Sequence, residues 1–362
     1  MINPFIWNVY PNMISTDIFF MQRALDLAAK GAGHVSPNPM VGAVLVHNGE
    51  IIGEGYHEQF GQSHAEINCL HAVKDELRHL IPASTMYVTL EPCAHQGKTP
   101  PCADRLVMEG LKTVVIATSD PNPLVNGKGI AILEKAGIEV RVGVLEQAAQ
   151  FQNRRFFTSC QKGRPYILLK WAQTGDGFIS SGTAERLKIT SHNTDVLVHQ
   201  WRAEEDAIMI GSRTALLDDP LLTNRYAEGP SPLRIVLDSN NSLPTTLKMF
   251  NDGNPVVIIN RHKDLQERGL RYKKIEKDIN YWEHLFIFLH ELNIHGLMVE
   301  GGAELISSMI EAGYWDEIRV LINPAKNIIS GIPAPALPNN ISKTDYQQIG
   351  DELLHIYYNS NQ

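Results

Sequence analysis

The sequence predicts an α/β fold in two consecutive domains, and three observations support this. The chain has 362 residues, which is about twice a typical domain of roughly 150 residues. Short apolar runs of strand type alternate with helical patterns in both halves, as in layered α/β domains. A polar and basic segment, 151–162, ends at Gly163 and Pro165 and separates the two series. We therefore expect domains at 15–160 and 164–362.

The first half is predicted to contain elements in the order α-β-β-α-β-α-β-α-β. Asn48-Gly49 is typical of a two-residue hairpin turn between two strands. Thr16 is an expected N-cap, and Gly31 and Gly110 are expected to end two helices. The predicted helices are 17–30, 64–79, 103–109 and 129–135, and the predicted strands are 41–46, 51–56, 85–90, 113–118 and 138–144.

The second half has no Gly-x-Gly-x-x-Gly after a strand, which argues against a Rossmann dinucleotide site. One predicted strand instead runs into Gly301-Gly302 and a helix from about Ala303. The start of such a helix can bind a phosphate, although a Gly-Gly turn is equally compatible with tight packing alone. The predicted strands are 166–170, 206–211, 233–238, 255–260, 295–300 and 317–322, and a helix is predicted over 193–202.

The composition argues against several classes of protein. The net charge of -8 and the absence of a Lys/Arg run do not favour a polynucleotide partner. Four cysteines in so long a chain do not suggest a disulfide framework. No apolar run of 18 residues predicts a membrane span, and Pro4 and Pro11 interrupt any signal peptide. We expect a cytoplasmic homo-oligomer, with Met13 as an alternative start to Met1 and a small phosphorylated molecule as its partner.

Three residues in the first half form the ligand set of a catalytic zinc site. His64-Ala65-Glu66 opens a predicted helix, Pro92-Cys93 follows a predicted strand, and Cys102 starts the next helix. One imidazole and two thiolates leave a fourth position of tetrahedral zinc open for water. Glu66 lies two residues from His64, and this pattern is the one found in zinc deaminases, where the glutamate shuttles protons.

Other interpretations of these residues remain open. A His-x-Glu by itself is usually a solvated helix start, and a pair of cysteines is often part of a core. A structural zinc site needs a fourth protein ligand, and His95 is available for that role. The combination of all three motifs in this order favours the catalytic site.

Six stretches of the first half add a more specific pattern. Cys102 lies nine residues after Cys93, and the segment between them includes Gly-Lys-Thr-Pro-Pro, whereas most cytidine and tRNA deaminases have Cys-x-x-Cys. The stretches are Pro37–Gly42, Gly55–His57, His64–Glu66, Glu91–Cys102, Asp120–Pro123 and Asn126–Gly129. On these stretches the chain resembles the bifunctional deaminase/reductase family of riboflavin biosynthesis.

The resemblance implies a cytidine-deaminase-like three-layer domain followed by a dihydrofolate-reductase-like domain. It implies Zn2+ and a diaminopyrimidinone substrate that carries a ribosylamino 5′-phosphate. Water would attack the ring carbon bearing the 2-amino group, with Glu66 moving the protons. Cys69 and Cys160 match no ligand position and are interpreted as structural. The family positions in the substrate pocket are Asn38, His57, His95, Lys98 and Thr99, each of which is also compatible with a turn or surface role.

In the second half, the resemblance implies NADPH and hydride transfer to C1′ of the ring-opened sugar. The matching stretches are Leu169–Ala172, Asp176-Gly177, Thr190-Ser191, Arg202-Ala203, Asp218–Pro220, Leu222-Thr223 and Val299–Gly302. The implied cofactor contacts are Ala172, Lys188, Thr214, Asp218, Ser239 and Gly302. The implied substrate contacts are Arg186, Arg202, Leu222, Arg225 and Glu300, of which Arg202 and Arg225 are predicted to clamp the phosphate.

One segment departs from the family pattern. Arg186-Leu187-Lys188 stands where relatives have Ser-x-Trp, and that Ser and Trp contact substrate and cofactor. We interpret this as a variant of one lineage rather than as an impaired reductase. Two alternatives remain: a deaminase with a degenerate reductase half, and an RNA-editing deaminase whose second half is a binding platform.

Overall fold

The computed structural model describes residues 15–94, 100–123, 125–183, 187–267 and 269–360. The chain divides between Gln161 and Lys162 into two compact units. None of the helices in the described ranges is long and apolar enough to cross a membrane. The alternative start and four predicted site residues lie outside the described residues: Met13, His95, Lys98, Thr99 and Arg186.

The first unit follows the predicted order of elements and continues with two more helices. Its helices are α1 (Ser15–Ala28), α2 (Ala65–His71), α3 (Cys102–Met108), α4 (Lys128–Lys135), α5 (Glu146–Gln152) and α6 (Arg154–Lys162). Its strands are β1 (Gly42–His47), β2 (Glu50–Tyr56), β3 (Thr85–Val88), β4 (Thr113–Ile116) and β5 (Glu139–Val142), and two 3₁₀ helices span Ala29–Gly31 and Asp75–Ala83.

The first unit is a three-layer α/β domain, as the resemblance implies. Its five strands lie in the order β2-β1-β3-β4-β5. Ala43 and Leu45 of β1 pack with residues of α2, α3 and α4. Val44 and Val46, on the other face of the same strand, pack with α1. This alternation follows from the two-residue period of a strand, and it buries both faces of the sheet.

Two expectations for the first unit are wrong in detail. The helix predicted over 64–79 ends at His71, and Asp75–Ala83 forms a 3₁₀ helix that contains Pro82. Lys74 is extended, so the two helices are not continuous. The segment 151–162, expected to be a polar bridge, forms the end of α5 and all of α6. The buried side chains of Phe157 and Thr158 give α6 an inner face that the sequence pattern did not reveal.

The second unit contains all six predicted strands and several elements that were not predicted. Its helices are α7 (His192–Glu204), α8 (Ser212–Asp218), α9 (Lys248–Asn251), α10 (Tyr281–Glu291) and α11 (Ala303–Glu311). Its strands are β6 (Tyr166–Thr174), β7 (Phe178–Ser180), β8 (Ala207–Gly211), β9 (Leu233–Leu237), β10 (Val256–Asn260), β11 (Leu265–Glu267), β12 (Leu270–Lys274), β13 (Gly296–Val299), β14 (Glu317–Asn323), β15 (Ile332–Pro333), β16 (Ile341–Ile349) and β17 (Glu352–Asn359).

A ten-stranded sheet organises the second unit, in the order β11-β12-β10-β9-β8-β13-β6-β14-β17-β16. The strands from β12 to β14 in this order are parallel, and the C-terminal hairpin β16–β17 pairs antiparallel with β14. Helices α10 and α11 pack on one face, and α7, α8 and α9 pack on the other. Ligands of such sheets bind outside the carboxyl ends of the parallel strands.

Candidate functional site

His64, Cys93 and Cys102 come together in the first unit. His64 is the extended N-cap residue of α2, and Cys102 is the first residue of α3. The His64 Nδ1 atom lies 3.5 Å from the Cys93 Sγ atom and 3.4 Å from the Cys102 Sγ atom. Among the described residues, these form the one group of three His, Cys, Asp or Glu side chains close enough to share a metal ion.

The geometry of this cluster suits zinc. Zinc bonds of about 2.3 Å to sulfur and about 2.0 Å to nitrogen, at tetrahedral angles, separate the two ligand atoms by about 3.6 Å. The two observed sulfur–nitrogen distances, 3.5 and 3.4 Å, are close to that value. Three protein ligands match a catalytic zinc site, in which the fourth position is open.

Glu91 and Gly129 hold Cys93 in place. The buried Glu91 carboxylate accepts hydrogen bonds from four backbone N–H groups, those of Asp120, Gly127, Gly129 and Ile130. A Cβ atom at Gly129 would lie 2.0 Å from the carbonyl oxygen of Pro92, so only glycine permits this approach. The start of α4 is thereby fixed against the residue that precedes Cys93.

Glu66 lies beside the ligand cluster. It is the second residue of α2 and is 3% exposed, and burial raises the pKa of its carboxyl group to about 7. Its carboxyl group also forms a hydrogen bond with the Cys102 thiol. A hydrogen bond from the Cys102 thiol lowers the pKa of Cys93, which favours the thiolate that a metal requires.

The position of α2 against the sheet depends on two glycines of β2. A Cβ atom at Gly55 would lie 2.2 Å from the backbone nitrogen of Cys69. At Gly53 it would lie 2.6 Å from the Cys69 carbonyl oxygen. The Asn68 side chain also donates to the Tyr56 carbonyl over 2.8 Å. These close contacts fix the helix whose first turn carries His64 and Glu66.

Asn38 and His57, two predicted pocket residues, form a pair next to the cluster. The His57 ring lies edge-on to the His64 ring, with centroids 5.4 Å apart. Its Nδ1 atom lies 3.0 Å from the Ser63 carbonyl, to which it donates. The Nε2 atom therefore accepts from the Asn38 side-chain amide over 3.1 Å. Burial lowers the pKa of His57, which keeps its ring neutral and this tautomer fixed.

The second unit contains a cavity of about 1070 Å³. It lies at the carboxyl ends of β6, β8, β9 and β13, where such sheets bind ligands. Gly302 has a φ of +60°, and a Cβ atom there would lie 3.1 Å from the Thr214 Oγ1 atom. Nine of the predicted reductase residues line this cavity: Ala172, Lys188, Arg202, Thr214, Asp218, Arg225, Ser239, Glu300 and Gly302.

Leu222, by contrast, is not among the residues that line this cavity. Its side chain is 3% exposed and packs in the core with Val198 and Trp201, outside the cavity wall. The residue has a φ of +59°, a backbone conformation that a motif match cannot reveal. The substrate contact expected at Leu222 therefore stays a prediction.

Arg202 and Glu300 form a buried ion pair on the cavity wall. The guanidinium group donates to both carboxylate oxygens, over 2.8 and 2.9 Å, and the Lys170 ammonium group lies 3.7 Å from the same carboxylate. Burial alone would raise the pKa of Glu300, but the charges of Arg202 and Lys170 lower it to about 2. The fork of Arg202 is thus engaged by Glu300, and the phosphate clamp expected from the sequence stays a prediction.

Arg225 is exposed on the same wall. Its backbone N–H donates to the His199 ring over 2.8 Å, and its guanidinium group lies over the Tyr226 ring. Burial, with the charges of Arg202 and Arg225, lowers the pKa of His199 to about 4. Lys188, also exposed, lies 3.5 Å from the Asp195 carboxylate.

The sequence-based assignment missed three residues of these sites. Glu91 is part of the Glu-Pro-Cys stretch, and a carboxylate two residues before a metal ligand was the available signal. Lys170 stands at the end of an apolar strand pattern, where a lysine is unusual. Nothing in the sequence around His199 indicates a role, because its ring accepts a hydrogen bond from the backbone of Arg225, which lies 26 residues away.

Comparison with known proteins identifies both halves. Residues 14–118 match the cytidine and deoxycytidylate deaminase zinc-binding region, and residues 165–328 match the RibD C-terminal domain. Riboflavin biosynthesis protein RibD of Aquifex aeolicus is 42% identical over 84% of this chain and 86% of its own. The RibD of Escherichia coli is 35% identical over 85% of this chain and 88% of its own.

Solved structures agree with the sequence relatives. Acinetobacter baumannii RibD superposes with a TM-score of 0.87 at 33% identity, covering 95% of this chain and 99% of its own. A diaminohydroxyphosphoribosylaminopyrimidine deaminase/5-amino-6-(5-phosphoribosylamino)uracil reductase from Thermotoga maritima gives the same four values. The chain therefore belongs to the RibD family of riboflavin biosynthesis proteins, and it is a zinc-dependent deaminase joined to an NADPH-dependent reductase.

Proposed function

We propose that this enzyme catalyses two consecutive steps on one pyrimidine. The first is hydrolytic deamination of 2,5-diamino-6-(5-phosphoribosylamino)pyrimidin-4(3H)-one, and the second is reduction of the ribosyl side chain to ribityl. The proposal rests on the zinc-compatible cluster beside Glu66, which supports the deamination. The cavity of the second unit, lined by nine of the predicted reductase residues, supports the reduction. Mass spectrometry of the product, with and without NADPH, separates the two steps. A product unchanged by NADPH would contradict the second.

We assign the deaminase to residues 15–160 and the reductase to residues 164–362. The division of the structure between Gln161 and Lys162 supports this assignment. The matched family regions, 14–118 and 165–328, fall on either side of that division. Each active site is then built within one domain.

In the deaminase, His64, Cys93 and Cys102 would hold the zinc, which supplies a Lewis acid that activates water at neutral pH. Glu66 would accept a proton from the attacking water and deliver protons to the ring nitrogen and the departing amino group, which leaves as ammonia. The buried position of Glu66 suits this exchange, because a carboxyl group with a raised pKa can both accept and donate a proton near neutral pH. Asn38 and His57 would orient the ring, with His95, Lys98 and Thr99 completing the pocket.

In the reductase, NADPH supplies the hydride when bound. Its proposed contacts are Ala172, Lys188, Thr214, Asp218, Ser239 and Gly302. Glu300, held by Lys170 and Arg202, would orient the hydroxyl groups of the opened sugar chain, and Arg186 would face the same substrate. Because the fork of Arg202 is engaged by Glu300, binding of the 5′-phosphate depends mainly on Arg225.

Replacing Arg225 with alanine is expected to raise the reductase KM for the phosphorylated substrate at least about tenfold, a loss of ~1.4 kcal/mol. The reason is the loss of a guanidinium group that can bind phosphate with two hydrogen bonds. The KM for NADPH and the rate of deamination should change little. Steady-state kinetics with each substrate varied in turn measure both effects.

Arg261→Ala is a suitable control, because Arg261 is also exposed and its guanidinium group contacts Asn240, which does not line the cavity. It should leave the substrate KM unchanged. If Arg225→Ala instead weakens NADPH binding and leaves the substrate KM alone, Arg225 belongs to the cofactor site.

The alternatives to a bifunctional enzyme have direct tests. A degenerate reductase half would fail to bind NADPH, which calorimetry detects. An RNA-editing module would bind RNA in a strongly salt-dependent manner. The family membership favours neither, and the net charge of -8 disfavours the second.

We also propose that the enzyme is a cytoplasmic homo-oligomer. All four cysteines are free thiols, as expected in a reducing compartment. Strand β16 ends the sheet order, and an open strand edge is a natural surface for pairing with a second copy. Analytical ultracentrifugation tests the assembly, and a monomer at micromolar concentration would contradict it.

A further inference from the structure

Glu352 is a buried carboxylate that lies outside both matched family regions, 14–118 and 165–328. It is the first residue of β17 in the C-terminal hairpin and is 3% exposed. Its carboxylate accepts a hydrogen bond from the Ser191 backbone N–H over 2.6 Å and one from the Thr194 hydroxyl. The Asn323 side-chain amide also donates to it, over 3.3 Å. A buried charge with this many donors is held in one position.

The partners of Glu352 fix the start of α7. Ser191 is the N-cap residue of this 13-residue helix, and Thr194 lies in its first turn with no exposed surface. The carboxylate therefore lies at the positive end of the helix dipole, which stabilises a negative charge there. The same helix carries Asp195, His199 and Arg202 to the cavity wall.

The segment that precedes α7 is fixed by the same group of residues. Asn323, which donates to Glu352, also donates to the Ile189 carbonyl over 2.8 Å. The Lys326 ammonium group donates to the Lys188 carbonyl. Residues 187–190 form a continuous part of the cavity wall. Asn323, which is bonded to Glu352 of the hairpin, and Lys326 therefore hold this part of the wall through its backbone carbonyl groups.

We propose that Glu352 is a positioning residue of the reductase site. It acts through Ser191 and Asn323 on the wall formed by residues 187–190, and through the start of α7 on Arg202 and its partner Glu300. This inference rests on the proposed function, in which the cavity takes NADPH and the phosphorylated pyrimidine. It assigns a functional role to a part of the chain that the matched family region, 165–328, does not reach.

Glu352→Ala in the full-length enzyme tests the proposal. We expect the dissociation constant for NADPH, measured by calorimetry well below the melting temperature, to rise about tenfold. Ammonia release by the deaminase should stay within about twofold of the wild type. Glu352→Gln retains an oxygen acceptor for the Ser191 N–H, so it should recover part of the affinity.

Asn359→Ala provides the matched structural control. Asn359 is the last residue of the same strand, is 7% exposed, and donates to the Trp315 carbonyl over 2.8 Å. It stands at the opposite end of β17 from Glu352, and its hydrogen bonds to Trp315 and Asn340 secure the hairpin. We expect this variant to melt at a lower temperature while its affinity for NADPH stays within about twofold of the wild type.

The outcomes are distinguishable. A lower melting temperature for Glu352→Ala with unchanged NADPH affinity would reduce Glu352 to a structural role and overturn the proposal. Equal losses of affinity in Glu352→Ala and Asn359→Ala would also overturn it. If the alanine variant does not fold, the same comparison is made with Glu352→Gln. Failure of the wild type to bind NADPH would overturn the proposed function, and this inference with it.

Discussion

Glu66→Gln is expected to abolish deamination while zinc stays bound and reduction continues. Glutamine has nearly the shape of glutamate, so the first turn of α2 and the ligand His64 should keep their positions. The amide cannot take a proton from water or pass one to the substrate, and the loss of general acid–base catalysis typically costs about 10²–10⁴ in rate. Ammonia release measures the first activity, and metal analysis measures the zinc.

The reductase of the same variant is its internal control, because the reductase site is built within the second domain. NADPH oxidation with already deaminated substrate should proceed at the wild-type rate. Glu76→Gln, which changes an exposed carboxylate of the first domain, should affect neither activity. Loss of both activities in folded Glu66→Gln protein would show that the division of labour between the domains is wrong.

Cys93→Ser is expected to remove zinc and deamination together. The purified wild type should contain about one zinc per chain, because three ligands with one open position form one catalytic site. A serine hydroxyl stays protonated at neutral pH and is a poor substitute for the thiolate that the Cys102 hydrogen bond favours at Cys93. Metal analysis after gel filtration and the rate of ammonia release should fall in parallel.

Cys160→Ala is the matched control, because Cys160 is a free thiol outside the ligand cluster. Its zinc content and both activities should equal those of the wild type. Full deamination by protein from which a chelator has removed all detectable metal would contradict the zinc site.

The first domain could be predicted well because its signals are local. His64, Glu66 and Cys102 stand at helix starts and Cys93 lies in the loop after a strand, so a short motif fixes both their chemistry and their place. The Asn48-Gly49 turn likewise has positive φ at both residues, as its sequence indicates. The fold implied by the resemblance is confirmed for both halves.

Features that depend on distant contacts could not be predicted. The pairing of Arg202 with Glu300 joins residues 98 positions apart, and nothing near Arg202 shows that its fork is engaged. The hairpin β16–β17 has a polar outer strand without clear alternation, and its buried Glu352 resembles a surface residue in the sequence. The side chain of Leu222 packs in the core, although its motif matches a contact position.

The most direct test of the account uses the purified enzyme, the diaminopyrimidinone ribosylamino 5′-phosphate and NADPH in one reaction. Released ammonia and oxidised NADPH are measured together. We predict equal amounts of both at completion, with ammonia released first and NADPH oxidised only after deamination has begun. Oxidation of NADPH without ammonia, or ammonia without any oxidation of NADPH, would contradict a bifunctional deaminase and reductase.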